Sequence, residues 1–415
     1  MKIHGQSFGS IFRRLPWQYQ ILTVVGSAFI LMTIVHIASV AIHWKKKADA
    51  PSIDVVKILH SDPTAGVLDP SLAAVPGSPA RWMAYTAQVE EKAGDITMET
   101  RLAQTVAGRS DCGAWIDMSG ASIRGRQDQL LAPDGQTVVA RGEWRIETPS
   151  LVYDPDDKGR EWKLFVFRYF WSDNPANRLS VLQHYAVISY KYAPSPELQW
   201  STEAWLFAAK KDYPPSPYDQ MVLLDLDRLS PDLQDIVMYS RPSAIYQGGV
   251  LAMTLSAYKA GDLEPDRVIE IVSRDNGNSW LYVGTLLDKK ELAAFDAKGE
   301  PHYTRIFGAT LLQQDGDVYL AAALGTKAQR GAGTLLFRFD DFANGKLEAD
   351  PQTGLPKIVR RIPLPVPGAG AVGGGTIAYT QSCPKTGIMV SEQHNASPYF
   401  HLFQTGRPPY EAKKP

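Results

Sequence analysis

The chain has 415 residues, 44% of them hydrophobic and 21% charged, which is enough apolar content to bury a core and too little charge for a disordered polymer. Its 43 basic and 44 acidic residues leave a formal net charge of −1, so there is no basic surplus to neutralise nucleic-acid phosphates, and nucleic acid is excluded as a partner. Cys112 and Cys383, the only cysteines, are too few for a metal knuckle and stand either as two buried thiols or as one long-range disulfide.

A short basic tail, 1–20, opens the chain, and 21–42 then runs without a single Asp, Glu, Lys or Arg. As a helix that stretch would rise about 33 Å, enough to cross the hydrocarbon core. Trp17 and Tyr19 precede it and Trp44 follows it, where aromatic rings favour the membrane interface. We read 21–42 as a transmembrane helix and 43–53 as a linker. The rival is a cleaved signal peptide, since Ala48-Asp49-Ala50 offers small residues; the apolar part of such peptides spans only about 7–15 residues. Lys2, Arg13 and Arg14 on one side balance Lys45, Lys46 and Lys47 on the other, so loop charge does not orient the helix. A short tail before a large domain favours an inside N-terminus. The expectation is a single-pass protein of the cell membrane, with the bilayer as one partner and the main domain periplasmic or on the cell surface.

Beyond the linker one phrase recurs: a polar turn, an apolar strand, a tight turn and a second apolar strand. Copies start at Asp69, Glu147, Arg241, Phe307 and Gly374. The first three share Pro-Ser, at Pro70, Pro149 and Pro242, at intervals of roughly 80–90 residues. Each copy predicts a hairpin, with Asp156-Asp157-Lys158-Gly159, Gly248-Gly249 and Asp315-Gly316 as turn material. Further strands are predicted over 181–190, 203–208, 268–272, 282–286 and 334–339, and one short helix over 289–295. Four strands per unit and five units over 54–407 give an all-β fold, a β-propeller of five four-stranded blades, with a tail at 408–415. A β-sandwich of similar hairpins and a propeller of six or seven blades are the alternatives. A ring would make the first and fifth units neighbours, which would permit a Cys112–Cys383 disulfide; two unrelated buried thiols stay open beside it.

Ser273-Arg274-Asp275-Asn276-Gly277-Asn278-Ser279-Trp280 fits the pattern S-x-D-x-G-x-x-W and resembles the Asp-box of sialidases and related propellers. Asp275 would cap the turn, Gly277 would take a positive φ and Trp280 would pack beneath, a structural and not a catalytic device.

Asp69-Pro70-Ser71, with the turn and aromatic-rich strand after it, resembles the opening motif of five-bladed glycosidases of the arabinanase, β-xylosidase and invertase type. That resemblance implies a carbohydrate ligand on the central axis and carboxylates from the first three blades converging there. It calls for no cofactor and leaves room for a structural calcium ion. Inverting hydrolysis needs one carboxylate to activate water and a carboxylic acid to protonate the leaving oxygen, about 6.5–9.5 Å apart. Asp69 matches the position of the base and Glu147 roughly that of the second carboxylate. At the third position Arg241 stands where the acid is expected, so a glycoside hydrolase is one reading and a non-catalytic glycan- or protein-binding propeller of the cell envelope the other. Each residue also has a structural role open to it: Asp69 in an Asx-turn, Glu147 paired with Arg145 or Arg241, Arg241 as a salt bridge. Trp144 is expected to meet sugar faces, as are Trp171 and Tyr246, although core packing is the commoner fate of Trp. His184 is placed facing the axis, and Glu392 and His394 as a rim or axial ligand set of the last unit, with a polar loop as the alternative. Asn395-Ala396-Ser397 is a glycosylation sequon. No P-loop, dinucleotide fingerprint, zinc spacing or serine triad is present, and the glycine-rich 368–375 reads as an inter-blade loop.

Overall fold

Each of the three Pro-Ser copies becomes the innermost strand of a separate sheet. The computed structural model describes residues 2–3, 6–7 and 54–410, less the loop segments 60–65, 79–80, 93–94, 107–111, 119–122, 209–221, 297–301, 329–330, 364–370 and 395–398 and positions 133, 384 and 386. The expected membrane segment 21–42, the linker 43–53 and the sequon at Asn395 lie outside the described residues. Residues 1–52 form a unit of their own, whose described part is a small hairpin of Lys2–Ile3 against Gln6–Ser7.

The unit from Ile53 onward contains five β-sheets, whose strands follow chain order outward from an inner strand except where Asp54–Val55 and Lys57–Leu59 are added at two outer edges. Their innermost strands are Gly66–Ala74, Val138–Tyr153, Ile236–Gln247, Arg305–Gln314 and Ala371–Ala378. The five copies seen in the sequence thus fall on the five inner strands, and the fold is a five-bladed β-propeller. The ring is closed by the start of the chain. Asp54–Val55 is the outermost strand of blade five, beside Phe400–Gln404, while Lys57–Leu59 runs parallel to Ala114–Asp117 at the outside of blade one. Cys112 and Cys383 are bonded across the same seam, with Cα atoms 5.7 Å apart, as the ring geometry leads one to expect.

Five apolar clusters hold the ring, one between each pair of neighbouring blades. Trp82, Leu102, Leu151 and Leu164 join blades one and two. Phe167, Tyr239 and Met253 join two and three; Val268, Leu287 and Leu320 join three and four. Leu312, Tyr319 and Val390 join four and five, and Tyr85, Trp115 and Met389 close the circle. The middle strands are near-continuously buried, as in Val250–Lys259 and Asp317–Gly325, so both faces of a blade feed these clusters.

The shared Pro-Ser has a definite job. In each of the first three blades two inner-strand residues oppose one on the second strand, at Asp69-Pro70, Thr148-Pro149 and Arg241-Pro242. This is a β-bulge, which leaves ladder positions free for a proline without an N–H. Asp69, Thr148 and Arg241 take φ values of 49°, 50° and 51°, a left-handed conformation that L side chains rarely adopt. The serine that follows reaches the next blade. Ser71 Oγ accepts from Leu151 N at 2.9 Å, Ser150 Oγ from Ala244 N at 2.8 Å and Ser243 Oγ from Leu311 N at 2.8 Å. Blade four lacks the serine, which is why its copy is the weakest in the sequence.

Three local expectations change. Residues 178–184 form a helix, Arg178–His184, and the strand is Val187–Ala193; Val181 and Leu182 satisfy a helical face as well as an alternating one, and a turn through Asn174-Pro175 precedes them. Blade two carries extra strands, Gln127–Leu131 against the first half of Val138–Tyr153 and Val222–Asp225 parallel at the outer edge. Pro408 to Tyr410 is not a loose tail: Tyr410 stacks on Tyr319 at 6.0 Å, and its N–H donates to Gln314 at 3.0 Å. The short helix over Lys289–Phe295 is present as a 3₁₀ turn. The turn 275–280 forms as its residues dictate: Asp275 accepts from Ser279 N at 2.8 Å, Gly277 has φ 91°, and buried Trp280 stands edge-on to Phe207.

Candidate functional site

The bulges of blades one and three carry Asp69 and Arg241, and Glu147 stands one residue before the bulge of blade two. Asp69 is buried, and its carboxylate accepts from Thr86 Oγ1 at 3.3 Å and Thr376 Oγ1 at 2.8 Å. Arg241 Nη1 lies 3.7 Å from the same carboxylate. Blades one, three and five therefore meet on Asp69. Blade two joins through Thr148, whose N–H donates to Thr86 Oγ1 at 2.9 Å.

Glu147 stands in the field of both Asp69 and Arg241. Burial first, then the Asp69 charge, pushes its carboxyl up to about 6, against the pull of Arg241 and a hydrogen bond from Tyr169. The Tyr169 hydroxyl is pushed well above its ordinary range, by burial and then by Glu147, and stays a donor. Burial opposes the charge on Arg241, but Asp69, Tyr258 and Glu147 outweigh it and raise its pKa. Arg241 is further fixed by the Phe307 ring, 4.2 Å from its Cζ, and by Gly308, where a Cβ would come within 2.6 Å of Arg241 Cδ. Tyr258 also bonds Ser240 at 2.9 Å. Beside Arg241 a pocket of about 90 Å³ opens between Tyr258, Glu264, Arg305 and Phe307.

Asp69, Glu147 and Arg241 are thus brought together, but their equivalence needs one correction. Counting from the bulges, Thr148 occupies the Asp69 position in blade two, and Glu147 precedes it. The prolines carried that information: the residue before each is Asp69, Thr148 and Arg241. Thr86, Tyr169, Tyr258 and Thr376 were not singled out by sequence, because they lie on second strands or outside the Pro-Ser phrase.

Other expected residues do not join the cluster. Trp144 is not a sugar platform: it is 1% exposed, tilted against Trp205 at 5.4 Å and edge-on to Phe170 at 5.3 Å, and its Nε1 donates to Asp128 at 3.1 Å. Trp171 is partly exposed, yet Arg145 and Arg178 sit 4.7 and 4.5 Å from its ring centre. His184 ends the helix, edge-on to Tyr185, and does not lie on an axial strand. Glu392 is fully buried on the second strand of blade five, between Gly374 and His401, and is not a rim residue. His394 ends that strand, opposite Ala371; its side chain is outside the described residues. Among the described residues no group of three metal-ligating side chains occurs.

The fold defines the class, a five-bladed β-propeller, here with a charged cluster on its inner strands. The chain matches no protein-family model and no curated protein. Among solved structures it is similar to a family 117 glycoside hydrolase from Zobellia galactanivorans, at 13% identity over 76% of each chain, with a TM-score of 0.41. It is also similar to a member of the GH130 family of mannoside phosphorylases and glycoside hydrolases, at 12% identity over 85% and 86% of the chains, TM-score 0.45. An α-L-arabinofuranosidase from Podospora anserina gives 10% identity over 84% and 94%, TM-score 0.44. Likeness at that level concerns chain path and is silent on what this chain binds or cleaves.

Proposed function

We propose that this propeller takes a carbohydrate at the end of the axis that holds Asp69, Glu147 and Arg241, and that Glu147 is the proton-transfer group there. The observation that carries the reading is Glu147 itself. A carboxyl raised to about 6 is partly protonated near neutral pH and can protonate a leaving glycosidic oxygen. Asp69 is the second carboxylate, kept in place by Thr86 and Thr376, and Arg241 positions it. A second reading, glycan binding without turnover, is favoured by one fact: both Asp69 oxygens already accept hydrogen bonds, which leaves it poorly placed to take a proton from water.

The charge-free segment 21–42 supports a single-pass anchor, and the Cys112–Cys383 bond suits an oxidising, extracytoplasmic compartment. The full chain, solubilised in detergent, should hydrolyse members of a panel of aryl glycosides and polysaccharides, and Glu147→Gln should abolish turnover with the fold intact. Binding of a polysaccharide without release of reducing ends would favour the second reading. Neither binding nor turnover would reject both.

A further inference from the structure

On the other side of the bulges the axis widens into a cavity of about 570 Å³. The C-terminal halves of all five inner strands form its wall, and Pro70 and Ser71 reach its inner end. Asp69, Glu147 and Arg241 are not part of that wall, and no Asp, Glu, Lys, Arg or His lines it. The wall mixes two chemistries. Leu72, Val75 and Ile245, each partly exposed, present apolar surface, whereas Tyr246, Tyr379 and Gln313 present rings, hydroxyls and an amide.

The polar members are held in place. The Tyr246 hydroxyl donates to Asp156, and Gln313 Nε2 donates to Gln247 Oε1 at 2.8 Å. Gln247 Nε2 in turn donates to the carbonyl of Gly316 at 2.7 Å, so side chains of blades three and four interlock at the mouth. A wall without charges cannot compensate an ionised ligand, whose desolvation would cost several kcal/mol. An aliphatic ligand would offer no hydrogen bond to the remaining donor and acceptor capacity of Tyr246, Tyr379 and Gln313. What satisfies both surfaces is an uncharged molecule rich in hydroxyls with exposed C–H faces, and the volume lies within the range of about 300–1,000 Å³ usual for small-ligand sites.

We propose that this cavity is a second binding site, for a neutral saccharide of one or two rings, entered from the face opposite the charged cluster. It does not depend on the proposal for Glu147, because the two sites share no side chain. The test is calorimetric titration of the full chain in detergent with cellobiose and xylobiose as neutral probes and digalacturonate as the charged comparator. One neutral probe should bind at least about tenfold more tightly than digalacturonate, a difference of about 1.4 kcal/mol. Tyr246→Ala and Gln313→Ala should each weaken it by about tenfold or more, and Tyr379→Phe, which keeps the ring, tests the hydroxyl should Tyr246→Ala fail to fold. The proposal is overturned if neither neutral probe binds at concentrations up to about 10 mM, tenfold above a weak dissociation constant of about 1 mM. It is equally overturned if binding survives all three cavity substitutions, or if it disappears with Glu147→Gln while those substitutions leave it untouched.

Discussion

Glu270 offers the sharpest test of the electrostatics of this ring. It lies on the third strand of blade three, between Thr254 and Gly284, and has no exposed surface. Neither carboxyl oxygen has a hydrogen-bond partner. A Cβ on Gly345, in blade four, would sit 3.3 Å from Glu270 Oε2, so the group is sealed against the next blade. Burial first, and then the Asp341 charge, raises its carboxyl to about 9. The folded protein therefore holds this proton between about pH 4.3 and 9 while the unfolded chain has released it. An acid raised in this way contributes stability that is greatest below the unfolded value and is lost as pH climbs toward the folded one. The slope is about 1.4 kcal/mol per pH unit, so the loss between pH 5 and pH 8 is about 4 kcal/mol. Glu270→Gln removes the titration. Its amide remains buried and unmatched at some constant cost, so the useful quantity is how the difference between variant and wild type changes with pH, in which other titrating groups cancel. Urea denaturation at pH 5 and pH 8 should show the variant gaining about 4 kcal/mol on the wild type over that interval. A gain below about 1 kcal/mol would mean that Glu270 is ionised, or reaches water, in the folded ring.

Two further predictions concern how the ring is held. Ser150→Ala removes the acceptor for buried Ala244 N–H and should cost about 1–3 kcal/mol in chemical denaturation, whereas loss of the exposed Ser180 hydroxyl should cost no more than about 0.5 kcal/mol. Cys112→Ser opens a loop of 271 residues; on the chain-entropy model the loss is about 5–6 kcal/mol, and an unchanged melting transition would show that the seam is held by Asp54–Val55 and the apolar cluster instead.

The propeller was legible because it repeats. Pro70-Ser71, Pro149-Ser150 and Pro242-Ser243 mark three inner strands, since a bulge that excludes a ladder bond and a serine that reaches the next blade impose the same pair of residues each time. The repeat predicted the ring, and the ring in turn made a bond between Cys112 and Cys383 possible, which the 5.7 Å Cα separation bears out. The site was only half legible. Asp69 and Arg241 carry the repeat and could be found. Thr86 and Thr376 could not, because each is one small residue inside an apolar strand with no mark of its own, and the Thr376 contact, made across 307 residues, leaves no local trace. Trp144 and Trp171 misled for a physical reason: an aromatic ring buried between sheets and one offered to a ligand look identical in sequence, and only packing against Trp205 or Arg178 tells them apart. His184 misled because a seven-residue helix and a strand both fit its apolar spacing.

The central claim is that Glu147 works as an acid beside Asp69 and Arg241. The measurement that tests it most directly is the pH dependence of glycan turnover by the full chain. Turnover should fall as pH rises through about 6, where Glu147 gives up its proton, and should be absent in Glu147→Gln at every pH. Turnover that rises from pH 6 to 8, or that persists in Glu147→Gln, would contradict the account.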